Sequence, residues 1–216
     1  MPWAPSYAST DELREFVRID DDADDTVIED ALAGASRAID YACDPRPGRM
    51  RQFGKVDEVE DRYYTARLRG YGVPVRGQWV CEVDDIASVV GLVVACDPGG
   101  TGTYTEVAGT SLLPRNAAAL GEPFETVSFY GSALPNPPPW AEAVRVTAWW
   151  GWPAVPQAIH EACMLQASRL LSRRDAPFGV AGSPETGTEV RLLARLDPDV
   201  EILLKPYVRK IGTVLE

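Results

Sequence analysis

Histidine is almost missing from this chain: His160 is the only one in 216 residues. Cysteine is sparse and scattered, at Cys43, Cys81, Cys96 and Cys163, with no Cys-x-x-Cys pair. Structural zinc needs four soft ligands, usually in close pairs, and a disulfide scaffold of this length is denser in cysteine. The four cysteines therefore read as buried free thiols, and no metal is expected. Hydrolytic chemistry is equally short of parts. The one imidazole, on the flank of a helix, would have to meet a nucleophile in space, and no Gly-x-Ser-x-Gly elbow is present. The run Gly99-Gly100-Thr101-Gly102-Thr103 lacks the Gly-Lys-Ser/Thr of a phosphate loop and opens no helix. Carboxylates are so abundant that no pair stands out for acid/base work. Neither an enzyme nor a cofactor is expected.

Long apolar runs are also missing; none approaches the ~18–20 residues needed to span a bilayer. The start, MPWAPSYAST, has neither the basic end nor the apolar stretch of a signal peptide. Synthesis in the cytoplasm, away from membranes, is expected. Positive charge is the last shortage: 21 Lys and Arg against 32 Asp and Glu give a net charge of −11. That balance opposes ordinary DNA binding, which neutralises phosphates with cations. It suits a channel wall past which DNA slides, and it equally suits plain solubility. What remains is ordinary for a globular protein, 45% hydrophobic and 25% charged. The length allows one large domain or two small ones.

Helical signals sit at the two ends. Ser9-Thr10-Asp11-Glu12 has capping-box spacing, and Leu13, Phe16 and Val17 give the following helix one apolar face. Asp20 to Asp25 could suggest a calcium loop, but Asp25 and Ala31 stand where an EF-hand needs Gly and Glu. The run reads as a loop whose last aspartates open the next helix. There Ile28, Ala31, Leu32, Ala35, Ile39 and Ala42 fall on one stripe, and Pro45 and Pro47 stop it. After Pro156, Ile159, Cys163, Ala167 and Leu170 form another stripe, expected to pack against the first. Residues 175–188 form a long loop holding Phe178; such loops are usually functional or disordered. Residues 189–196 are ambiguous between helix and strand, with an extended strand preferred. Asp197-Pro198 opens a last helix, which Pro206 limits to about two turns.

Between residues 56 and 150 the pattern becomes β-branched and aromatic. Strands are expected at 63–68, 79–83, 91–96, 103–107, 126–130 and 143–149, without intervening helices. The turn at Asp97–Gly102 holds one carboxylate, so a hairpin explains it better than a calcium site. The expected fold is α+β: a small helical bundle from both chain ends, 1–55 and 151–216, with an inserted antiparallel β sandwich or barrel at 56–150. Trp149 and Trp150 alternate along a strand and so face opposite sides. One can meet a partner, since aromatics favour interfaces, or the cluster can join insertion to bundle. Beyond the last helix, Pro206-Tyr207-Val208-Arg209-Lys210-Ile211 offers an aromatic anchor, two cations and two aliphatics, with little core of its own to join.

The order of these elements carries a resemblance. From Trp149 to Lys210 the chain reads WWGWPAVPQAIHEACMLQ…PDVEILLKPYVRK: a strand ending in tryptophans, a proline-bracketed turn, an amphipathic helix, a Gly/Ser/Pro loop and a short terminal piece. From Tyr7 to Gly54, YASTDELREF…RQFG runs short helix, acidic loop, long helix and an Arg-Gln-Phe-Gly exit. Together the blocks, about half of the chain, resemble the head-to-tail connector (adaptor, or head-completion) proteins of long-tailed bacteriophages, in a larger form with a β insertion. None of these strings is a catalytic fingerprint; the specificity lies in order and spacing. The resemblance implies a virion neck protein whose copies form a ring, a dodecamer in that family, under the portal protein. DNA would pass through without specific binding, and the next neck or tail-completion protein would dock below. It further implies partner contacts through the long loop and terminal arm. The residues expected there are Phe178, Tyr207, Val208, Arg209, Lys210 and Ile211, with Trp150 as the outward tryptophan. A carbohydrate- or protein-binding β module of a phage tail is the other class, and a small hydrolase the remote one.

Overall fold

The computed structural model describes residues 5–18, 25–68, 77–130, 134, 142–174, 180–181, 190–191 and 196–210. Among them, those within 1–51 and 155–212 form one compact unit and those within 52–154 another.

The first unit is helical. Helix α1 (Thr10–Val17) starts in the anticipated capping box, with Ser9 and Glu12 bonded reciprocally. Arg18 ends it in the left-handed conformation. Helix α2 (Asp25–Cys43) buries Ile28, Ala31, Leu32, Ala35 and Ile39, as the stripe predicts, together with Ser36, Asp40 and Cys43. Arg14, in the last turn of α1, bonds Asp25 at the head of α2. Helix α4 (Gln157–Arg174) packs on α2 through Ile159, Ala162, Cys163 and Ala167, all fully buried. Small side chains permit this approach: Cys163 Sγ lies 3.3 Å from Ser36 Oγ. The segment before α1 is pinned along α2. Tyr7 donates its amide to Ser36 Oγ at 3.1 Å and its hydroxyl to the Asp40 carboxylate, while Arg37 reaches the Pro5 carbonyl at 3.0 Å. Helix α5 (Pro198–Leu204) is capped by Asp197 and passes into a 3-10 turn, Lys205–Tyr207.

The second unit is a seven-stranded antiparallel sheet, not closed into a barrel. Its strands are β1 (Glu60–Tyr64), β2 (Arg67–Leu68), β3 (Gln78–Cys96), β4 (Thr105–Glu106), β5 (Ser111–Leu113), β6 (Phe124–Tyr130) and β7 (Val144–Trp150). The order β1-β7-β3-β6-β5 corrects the expectation of a sandwich or barrel. One strand, β3, spans what sequence patterning divides into two, and each of its edges is used twice. At Ile86 it pairs with β6 on one side and β7 on the other. Earlier, β2 faces Trp79 and Val80; later, β4 faces Ala95 and Cys96. Asp84-Asp85 resembles a turn but does not break the strand, because Asp85 is buried and accepts the Trp152 indole N–H at 3.0 Å. A short helix, α3 (Ala117–Leu120), also lies here, where none was anticipated.

The paired segments β8 (Val180–Ala181) and β9 (Val190–Arg191) complete the described chain. The strand preference for 189–196 thus holds at Val190–Arg191, and its remaining positions, but for Leu196, lie outside the described residues.

Candidate partner-binding site

The carboxy-terminal segment is built from α5 outward. Asp197 bonds the Asp199 amide at 3.0 Å and the Arg169 guanidinium at 2.9 Å, anchoring α5 to α4. Pro206 then turns the chain toward the end of α2. Arg51 Nη1 donates to the Tyr207 carbonyl at 2.6 Å, and the Arg209 amide donates to the Cys43 carbonyl at 2.8 Å. The Arg209 side chain is buried, its Nε 3.8 Å from Asp44 Oδ2. Burial would push the Asp44 carboxyl up, but the hydrogen bonds from Arg46, with the Arg46 and Arg209 charges, hold it below the usual carboxylate range.

These contacts correct the picture of a terminal arm with little core to join. Up to Lys210 the segment is docked on its own chain. Tyr207 and Val208 are half-buried, Arg209 is buried, and Lys210 alone of the four is exposed. Phe178 and Ile211 lie outside the described residues.

Among the described residues, cations gather around this segment. Arg49, Lys205 and Lys210 are exposed and Arg46 half-buried, with exposed Tyr41 and Met50 beside them in sequence. Residue-by-residue reading of the tail missed this gathering, although a signal existed. Neither 45–51 nor 205–210 contains a carboxylate, and each carries three cations.

Trp150, expected at a partner surface, is completely buried in the sheet unit. Its indole N–H donates to the Glu60 carbonyl at 2.8 Å, and the Arg62 guanidinium sits 4.6 Å from its ring. Arg62 in turn meets Asp84 at 3.2 Å. The outward tryptophan is Trp149, half-exposed, with Lys55 Nζ 4.3 Å from its ring centre. Alternation separates the two tryptophans as expected, but seven alternating residues do not by themselves say which side is covered, and here Trp150 is on the covered one. Close by, β3 bulges. Ser88 pairs with Trp149 and Val93 with Thr147, so Val89 and Val90 are left out of register, 59% and 69% exposed. Gly91 allows the bulge with φ +75, and a Cβ there would meet Val59 at 3.7 Å and Trp149 at 3.8 Å.

Reactive groups are subdued. Burial pushes the thiols of Cys81, Cys96 and Cys163 up, Cys96 to about 11, so they stay protonated and weakly nucleophilic. All four cysteines are free and buried. His160 Nε2 lies 3.2 Å from Glu12 Oε1. That carboxyl is held down to about 2, first by the Ser9 amide and hydroxyl and then by His160. Among the described residues no group of three His, Cys, Asp or Glu side chains could hold a metal. Asp97 spends its carboxylate on its own turn, accepting amides of Gly99, Thr101 and Gly102. None of the described helices is long and apolar enough to cross a membrane. No protein-family model matches the chain, and no curated protein matches its sequence.

Proposed function

We propose that the chain is a structural connector of a phage neck. Copies form a ring under the portal protein, extend the channel for DNA, and present a surface to the next neck or tail-completion protein. The observation that carries this reading is the packing of helices from both chain ends into one unit, with an antiparallel β unit between them in sequence. That is the arrangement the resemblance of the two terminal blocks implies. Its mechanism is geometric: the helical unit builds the ring, and an acidic chain of net charge −11 lets DNA pass without holding it.

A second reading, a carbohydrate- or protein-binding β module, is favoured by exposed Tyr63 in tilted ring contact with Tyr104, ring centres 5.6 Å apart. Images of the purified protein mixed with the portal protein of the same phage separate the two. The connector reading expects mostly monomer alone at micromolar concentration and cyclic rings with portal. A stable two-fold dimer indifferent to portal would overturn it, since two-fold closure opposes a head-to-tail ring.

A further inference from the structure

The two faces of the sheet differ where β1 and β7 pair. Alternation along β7 sends Val144, Val146, Ala148 and Trp150 to a buried side, and Arg145, Thr147 and Trp149 to an open one where each is half-exposed. The register sets Tyr63 of β1 opposite Arg145, and Asp61 opposite Thr147; both β1 residues are exposed on that open side. Tyr104 joins them. Its ring centre lies 5.6 Å from that of Tyr63 and 5.4 Å from the Arg145 guanidinium. Trp149, four positions beyond Arg145 and so about 13 Å away along the strand, holds the other end beside Lys55. Rings thus stand at two ends of an open face, with polar groups between them.

Those polar groups have capacity left. Arg145 Nη1 is 3.7 Å from Asp61 Oδ2, beyond hydrogen-bond reach, and Arg145 Nε is buried without an acceptor among the described residues. A buried donor left in that state is costly. The Trp149 indole N–H also lacks an acceptor among the described residues, whereas those of Trp150 and Trp152 bond Glu60 and Asp85. Charge on the face is balanced. Lys55 and Arg145 stand against Asp61 and Glu106, and Glu106 and Arg145 flank Ala95 on neighbouring strands.

We propose that this face binds an extended, uncharged oligosaccharide, with sugar rings on Tyr63 and Trp149 and hydroxyls bonded to Arg145, Asp61 and the Trp149 indole N–H. A pyranose offers a flat apolar C–H face to an aromatic ring and a rim of hydroxyls that donate and accept. That suits rings separated by a guanidinium and a carboxylate. The distance between the rings exceeds one sugar, so the ligand is a chain. A single-stranded nucleic acid also stacks on aromatic rings but needs an excess of cations along its path. Neither the balanced face nor a net charge of −11 supplies one. The inference deepens the β-module reading by giving it a site and a ligand; it rests on that reading for the ligand class and needs no ring.

Calorimetric titration of the full-length chain with cellohexaose and with chitohexaose tests it, with oligothymidylate as the rival probe. At least one of the two sugars should bind at millimolar concentration and shift the Trp149 indole N–H resonance. Tyr63→Ala and Arg145→Gln should each weaken that binding about tenfold or more. Tyr41→Ala, which removes an exposed tyrosine of the helical unit, should leave it unchanged. If Arg145→Gln misfolds by circular dichroism, Tyr63→Ala at its exposed position still reads the outcome. Failure of both hexasaccharides to bind overturns the inference, as does binding that Tyr63→Ala does not alter. Oligothymidylate bound in place of the sugars, and released by Tyr63→Ala, would make the occupant a nucleic acid and equally overturn it. Rings on portal with neither sugar bound would remove this site and leave the connector. Sugar bound without rings on portal would do the reverse.

Discussion

Asp40 shows how much a single buried carboxylate can bend the pH response of this fold. Its side chain has no exposure, and burial pushes its carboxyl from 3.8 up to about 7, against the opposing pull of the Tyr7 hydroxyl and Arg37. The folded state therefore binds this proton more tightly than the unfolded state does. Stability from this group grows as pH falls from about 7 toward 3.8 and is lost as pH rises through about 7. Glu12 acts oppositely and lower down: its contribution is present above 4.5 and is lost as pH falls toward about 2. In urea unfolding, the wild type should gain on the order of a few kcal/mol more than Asp40→Asn between pH 8 and pH 5. Equal slopes would sink the argument. Gly151 is a second sensitive position. Its φ is +98, and a Cβ would lie 1.8 Å from the Gly54 carbonyl oxygen, so backbone must move. Gly151→Ala should cost about 2–4 kcal/mol, while Gly102→Ala, with open space around it, should cost only its φ strain; thermal melts compare them. Neither residue is legible in sequence. Asp40 sits on a stripe that reads as alanine and isoleucine, and the partner that crowds Gly151 is 97 positions away.

At the scale of elements, local chemistry made the helices readable. The Ser9–Glu12 box, the prolines after α2, and Asp197-Pro198 before α5 act within a few residues of themselves. Strand boundaries depend on distant partners and were read less well. Strand β3 continues through Asp84-Asp85 because Trp152 bonds Asp85, and Gly91 marks a bulge instead of an end. The carboxy-terminal segment was misread for the same reason: its apolar content is low, yet its backbone and one guanidinium are taken up by α2. Truncation after Leu204 should accordingly destabilise the protein by about 2–4 kcal/mol, since Asp44 loses one of two cations and the Cys43 carbonyl loses its donor. Arg46 remains on Asp44 at 2.6 Å, which keeps the loss below that of a wholly stripped carboxylate. Urea midpoints of the truncated and full chains measure it, and an unchanged midpoint would restore the picture of a detachable arm.

For the whole molecule, the decisive fact is that the helical unit is closed by residues from opposite ends of the chain. The apolar stripe of α2 is covered by Ile159, Cys163 and Ala167 of α4, more than a hundred residues later, with the sheet unit between them in sequence. Neither end can bury its own stripe. Helix α1, eight residues long, is below the length at which a helix persists alone in water, and α2 and α4, at 19 and 18, are only marginally above it. Peptides 1–51 and 155–216 should each be weakly helical alone. Mixed in equal amounts they should gain helicity beyond the sum of their separate spectra, with a concentration-dependent midpoint, because association replaces the covalent link. The Tyr7 contacts to Ser36 and Asp40 lie within the first peptide and should survive cutting, whereas Arg209 on Cys43 and Asp44 crosses between the two. Asp44→Ala in the first peptide should therefore weaken the mixture's association without lowering the first peptide's own helicity. Circular dichroism titration decides the matter: additive spectra would mean that the two ends fold separately and that the unit is an adjacency, not one cooperative structure.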